Sequence, residues 1–147
     1  MKKLIVILAV FAAVTGCNTP PVPTQFDKAK AELNMLMNDV IQLHERSIKM
    51  ISESSNFDDI AIAIKITSDT KMGIGSEIDR IAQTYPNLNQ QEIEKMYAFM
   101  GEKGKELDAV SARFVQAIDD LIRANLNDQA KTQPLIIALK QYQMIGQ

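Results

Sequence analysis

The sequence predicts an all-α fold: an up-down-up antiparallel bundle of three long helices, completed by a short C-terminal helix into a four-helix-bundle-like domain over residues 24–147. Three observations predict it. Apolar residues recur at three- and four-residue steps over long stretches, and no stretch of note keeps the strict alternation of a strand. Breaker clusters rich in Ser, Asn and Pro interrupt the pattern at only a few places, so long helices joined by short turns must reverse direction. Hydrophobic content is 46%, yet aromatics are only 5%, with no Trp and 8 Met. That mixture suits Leu/Ile/Met/Ala helix packing better than a β-sandwich.

Helix one is expected from Thr24, where Thr24-Gln25-Phe26-Asp27 resembles a capping box with Asp in place of Glu. Its stripe runs Phe26, Ala29, Leu33, Leu36, Val40, Leu43, Ser47 and Met50, widened by Met37, Ile41, His44, Ile48 and Ile51. The opposite face is charged, as an amphipathic helix requires, and Glu45 stands in the favoured i,i+4 order before Lys49. Ser52 to Asn56 (SESSN) ends the pattern, and Ser55 is the expected next cap.

Helix two is expected from about Asp58 to Thr84, on a stripe of Ile60, Ile64, Thr67, Ile74, Ile78 and Ile81, with Ala63 and Ile66 beside it. Gly73 and Gly75 weaken its middle, since each Gly costs up to about 1 kcal/mol against Ala in a helix. A kink or a close helix–helix contact is expected near Gly73. Tyr85-Pro86-Asn87 stops the helix.

Helix three has the strongest start signal. Asn89 is the cap, Glu92 stands at the third helical position, and Leu88 and Ile93 take the two places of a hydrophobic staple. The stripe Ile93, Met96, Met100, Gly104, Leu107, Ser111, Phe114, Ile118, Leu121 carries it toward Leu126. Gly101 and Gly104 are expected to admit a neighbouring backbone, with a hinge as the alternative. Asn125 to Asp128 ends it, and a last helix is expected from Thr132 or Pro134 to about Met144, apolar over much of its circumference.

The sequence assigns no catalytic residue, no cofactor-binding residue, no metal ligand and no cofactor, and the chain does not read as an enzyme. His44 is the only His, which excludes His-rich and Cys/His zinc sites. Met37 and His44 share a helix face and are one conceivable haem pair, but no C-x-x-C-H is present and packing is the expected role. The doublets Asp58-Asp59 and Asp119-Asp120 point about 100° apart on a helix and form no dyad. Asp58 is expected to cap, and Asp119 to pair with Arg123. No basic run exists, which argues against nucleic acid as a partner.

The N-terminal segment carries the most specific signal. Lys2 and Lys3 precede an apolar run, Leu4 to Val14, too short for a permanent bilayer span of about 20 residues. The run closes on Val14-Thr15-Gly16-Cys17. This resembles the lipobox of bacterial lipoproteins. The resemblance covers residues 1–17 and implies a signal peptide over 1–16, cleavage before Cys17, and lipidation of the Cys17 thiol, with acyl chains such as palmitate. Two or three chains make such attachment stable, because each buried CH₂ contributes about 0.8 kcal/mol. Cys17 is the only Cys, so the mature domain has no disulfide and stands on its core. Without Lys2 and Lys3 the 16 basic residues fall to 14 against 18 acidic, a net charge of −4. Membrane attachment therefore falls to the lipid.

Residues 17–23 form the lipidated Cys and a tether with three prolines, about 20 Å long in extended form. In enterobacterial-type lipoproteins Asp after the Cys marks inner-membrane retention. Asn18 stands there, so the resemblance favours the outer membrane of the cell envelope over the inner. A well-specified anchor on a compact bundle without catalytic signature points to a protein-binding or accessory module of the cell envelope. Its layout is similar to that of secretin pilotins, immunity lipoproteins and exclusion lipoproteins. The alternatives are a periplasmic carrier of haem, lipid or metal between helices at Gly73 and Gly104, and a self-associating structural lipoprotein.

Overall fold

Four capping side chains start four helices. The Thr24 hydroxyl accepts from the Asp27 N–H at 3.1 Å, and Asp27 accepts back from the Thr24 N–H at 2.9 Å, opening α1 (Gln25–Glu53). Asn56 opens α2 (Phe57–Thr84), Asn89 opens α3 (Gln90–Ala124) and Asp128 opens α4 (Gln129–Gln143). This computed structural model describes residues 22–145, and every described helix is one of these four. The signal segment, Cys17 and the start of the tether lie outside the described residues. No described helix is long and apolar enough to cross a membrane.

The boundaries depart from expectation where side-chain reach decides. Asn56, not Ser55, caps α2: its Oδ1 accepts from the Asp58 N–H at 3.1 Å and its amide donates to Asp59 at 2.8 Å. Asp59, not Asp58, therefore supplies the carboxylate of this cap. Packing of Phe57 against the core brings the helix start forward. Asp128, expected only to end α3, caps α4, whose first turn begins three residues before Thr132. Pro134 lies inside α4 and removes the donor that would meet the Ala130 carbonyl; Ala130 is exposed, so water can serve it. α3 stops at Ala124, where the Asn125 side chain donates to the Leu121 carbonyl at 2.9 Å.

The buried line of α1 is Ala29, Leu33, Met37, Val40, His44, Ser47 and Ile51. It is rotated one residue from the expected line, leaving Leu36 and Leu43 half-buried and Met50 exposed. On α3, Val110 and Ile122 are buried, while Ile93, Met100 and Gly104 are only half-buried. Ile66 on α2 is exposed.

The helices pack as a bundle. α1 lies against α2 and α3, and α4 lies against α2 and α3. No Cα of α2 comes within 8 Å of one in α3, nor does α1 approach α4 so closely. α2 and α3 therefore straddle α1 with a groove between them, and α4 fills that groove from the far side. At 1.5 Å per residue α3 is about 52 Å long and α4 only about 22 Å. The fourth helix can fill less than half of the groove.

Two apolar cores follow from this. One joins Ile51 of α1, Ile60 and Ile64 of α2, Phe114, Ile118 and Ile122 of α3, and Leu135, Leu139 and Tyr142 of α4. The other joins Ala29, Leu33, Met37 and Val40 of α1 to Ile81 of α2 and Met96, Leu107 and Val110 of α3, with nothing from α4. Between them sits a polar layer containing His44, Ser47, Thr67 and Ser111. Ser47 and Thr67 hydrogen-bond across α1 and α2 at 2.9 Å. No buried side-chain polar atom among the described residues lacks a partner, so this layer escapes the cost of about 1–3 kcal/mol per orphaned group.

Candidate functional site

The half of the bundle without α4 leaves an apolar groove open. Its floor is Ala29 and Leu33 of α1. One wall is Ile78, Asp79 and Ala82 of α2; the other is Ile93, Tyr97 and Met100 of α3, with Leu88 and Met96 below. The staple residues Leu88 and Ile93 are both half-buried and both belong to this lining. The depression holds about 220 Å³, less than the roughly 300–1,000 Å³ of enclosed small-molecule pockets.

The groove continues the surface on which α4 rests. On α2 the seam with α4 includes Ala61, Lys65, Ser68 and Met72. Steps of three and four residues carry that line on to Gly75, Ile78/Asp79 and Ala82. On α3, Ile118, Val115 and Ser111 lead by the same steps to Asp108, Gly104, Met100/Tyr97 and Ile93. Each helix thus has one continuous stripe, covered in one half and bare in the other.

The glycines mark the bare part. A Cβ added at Gly73, Gly75, Gly101 or Gly104 would meet nothing within 4 Å. The close helix–helix contact expected at Gly73, Gly101 and Gly104 is therefore not present, and α2 runs unbroken through Gly73 and Gly75. Gly75 and Gly104 lie on the stripe itself. Along the bare part Tyr97 is 66% exposed.

His44 lies at the closed end of the groove. It is fully buried, with Nδ1 at 2.8 Å from the Val40 carbonyl and Nε2 at 2.8 Å from the Tyr142 hydroxyl. A carbonyl only accepts, so Nδ1 carries the proton and Nε2 accepts from Tyr142. Both nitrogens are thus engaged by groups of the protein itself. The Ser111 hydroxyl stands 3.5 Å from Nε2. The rings of His44, Phe114 and Tyr142 meet edge-on at 5.0–5.8 Å. Burial holds the imidazole below its usual pKa, against the Val40 hydrogen bond, which raises it. Burial likewise raises the Tyr142 hydroxyl, opposed by its hydrogen bond with Ser111. Lys71 reaches over the Tyr142 ring at 4.4 Å; burial lowers its ammonium and Asp108 on α3 raises it. This cluster ties α4 to α1 across the bundle.

Other charged groups pair along and between the helices. Glu45 pairs with Arg113 of α3 instead of Lys49, and Lys49 pairs with Glu53 at 3.9 Å. Asp119 forms no ion pair with Arg123 among the described residues; Asp120 accepts from Gln116 at 2.8 Å. Glu32 of α1 takes both the Tyr85 hydroxyl and Arg80 at 3.3 Å, tying α1 to the far end of α2. No group of three or more His, Cys, Asp or Glu among the described residues could hold a metal ion. Asp79 has no cationic partner among them. The groove was not readable from periodicity, because that gives each helix a stripe without saying which stretch a shorter neighbour leaves bare. The signal lay in the length mismatch between helices three and four.

No protein-family model matches this chain, and neither a curated protein nor a solved structure matches it.

Proposed function

We propose that this chain is a lipid-anchored accessory protein of the bacterial cell envelope that binds a protein partner through the open α2–α3 groove. Lipid on Cys17 ties it to the membrane, the outer membrane by the Asn18 reading. The observation that carries the proposal is the bare half of the α4 seat: apolar, fully formed and without an occupant from the described chain. The three long helices run up, down and up. Supporting this, the groove core combines the first half of α1, the end of α2 and the first half of α3, while the other core combines the opposite ends. In that arrangement the groove opens at the end of α1 from which the tether departs. With about 20 Å of tether, the groove faces the membrane-proximal space.

Two measurements test the reading. Cys17→Ser is expected to remove the acyl mass and release the protein from the membrane fraction; unchanged mass and fractionation contradict the anchor. Cross-linking in intact envelopes, followed by purification under denaturing conditions, is expected to recover a defined heteromeric adduct. Recovery of free monomer across growth conditions contradicts the partner.

A further inference from the structure

We infer that the open groove receives one amphipathic α-helix of the partner, about three turns long, lying end-on to α4 and completing the four-helix bundle over its second half. The inference rests on the protein-binding reading above and specifies its ligand.

Continuity with an existing interface identifies the occupant as a helix. The stripe of α2 that seats α4 through Ala61 and Ser68 continues as Gly75, Ile78 and Ala82. The stripe of α3 that seats it through Ile118 and Ser111 continues as Gly104, Met100 and Ile93. α2 and α3 stay apart along the whole groove, with no Cα pair within 8 Å. Two helices that both pack on a third without touching each other leave a seat above it. From Ile93 to Gly104 the open stretch spans about 16 Å, or three turns. The 220 Å³ depression suits a few aliphatic side chains directed inward and not a whole cofactor.

The groove also specifies the occupant's chemistry. Gly75 and Gly104, with open space above them, take bulky side chains, so Leu, Ile or Phe belongs at i, i+3 or i+4, and i+7 of the partner helix. Asp79 on the α2 wall places a carboxylate on the rim, so Lys or Arg belongs on the flank that meets it. Burial of Tyr97 under that helix accounts for its exposure in the free protein.

In-cell photocross-linking of the full-length, lipidated protein tests this. One strain carries p-benzoylphenylalanine in place of Tyr97, in the groove. A second carries it in place of Met35, exposed on the outer side of α1. The expected result is an adduct at Tyr97 whose cross-linked peptide is a segment with apolar residues at helical spacing and a basic flank. Gly104→Leu projects into the groove and raises helix propensity, and its Cβ meets nothing within 4 Å. It is expected to cut the Tyr97 adduct at least about tenfold, a loss of about 1.4 kcal/mol, and to leave thermal melting unchanged or higher. A Tyr97 adduct to phospholipid, to a second copy of this chain, or to a segment without helical periodicity overturns the inference. So does an adduct indifferent to Gly104→Leu. An adduct at Met35 alone overturns the inference and leaves the protein-binding reading standing; no adduct at either position overturns both.

Discussion

The two halves of this bundle are built on the same stripes and differ in one thing: a fourth helix. In the closed half α4 brings Leu135, Leu139 and Tyr142 onto α2 and α3, and Phe114 and Ile118 beneath them are fully buried. In the open half the equivalent stretch of α3 leaves Tyr97 exposed and Met100 half-buried, and glycines replace side chains on both walls. Three helices hold each other in place through one core there, yet leave a seat above it. The difference teaches that α4 is a template: it displays, within the same chain, the kind of element that the bare half can hold.

The largest expected contrast is in core truncation. Phe114→Ala removes a ring enclosed by four helices and is expected to cost about 3–5 kcal/mol of unfolding free energy, while Met96→Ala, beside a groove that can relax, is expected near the low end of the roughly 2–5 kcal/mol range. Denaturant midpoints of the two variants measure this. Equal costs would mean that the halves are equally closed.

A smaller effect belongs to the polar layer that divides them. Tyr142→Phe leaves His44 Nε2 without its donor at 2.8 Å and is expected to cost about 1–3 kcal/mol. The nearby Ser111 hydroxyl can turn toward Nε2 and bring the loss to the lower end. The double variant Ser111→Ala with Tyr142→Phe then loses more than the sum of the two single losses. Strict additivity would contradict the substitution of one donor for the other.

Acidity reads the same layer. Burial lowers the His44 pKa in the folded state, so below the unfolded value of about 6.5 the unfolded chain binds the extra proton first. Stability is then full at neutral pH, falls as pH drops through about 6.5 toward the folded value, and levels off beneath it. The surrounding charges are Glu45 on α1, Lys71 on α2 and Asp108 on α3, with Tyr142 from α4. Chemical denaturation from about pH 7.5 to 5.5 in the native protein and in His44→Gln measures the effect. The slope is expected in the native protein and absent from the variant; the same slope in both would place its origin elsewhere.

The smallest effect is the sharpest test of the open half. Gly104→Ala and Gly75→Ala add a methyl to space that meets nothing within 4 Å and remove a weak helix former. Each is expected to stabilise the free protein by up to about 1 kcal/mol. Destabilisation in thermal melts would mean that the walls are already in contact.

Much of the architecture was legible because it is local. Thr24 and Asn89 read as caps from a box of four residues, and both form the reciprocal hydrogen bonds that pattern implies. The periodicity gave four helices in the right order. Cap choice failed at Ser55 because three polar residues compete there, and the apolar Phe57 decides among them by packing. In the sequence Asp128 looks like an ending, because a cap that follows directly on a stop resembles part of it. The glycines point to helix contacts in the sequence because small residues commonly allow them. Only the tertiary arrangement reveals that their side of α2 and α3 extends past the end of α4. His44 and Tyr142 are 98 residues apart, and no periodicity predicts such a pair.

Methionine oxidation in intact envelopes tests the central claim most directly. Met100 lines the groove, and Met35 lies on the outer side of α1. Mass spectrometry after a brief oxidant pulse gives the ratio of their sulfoxide yields, first in the native envelope and then in the purified full-length protein. An occupied seat predicts Met100 shielded in the envelope and released on purification, with Met35 unchanged. The same ratio in both settings would contradict a groove filled by a partner.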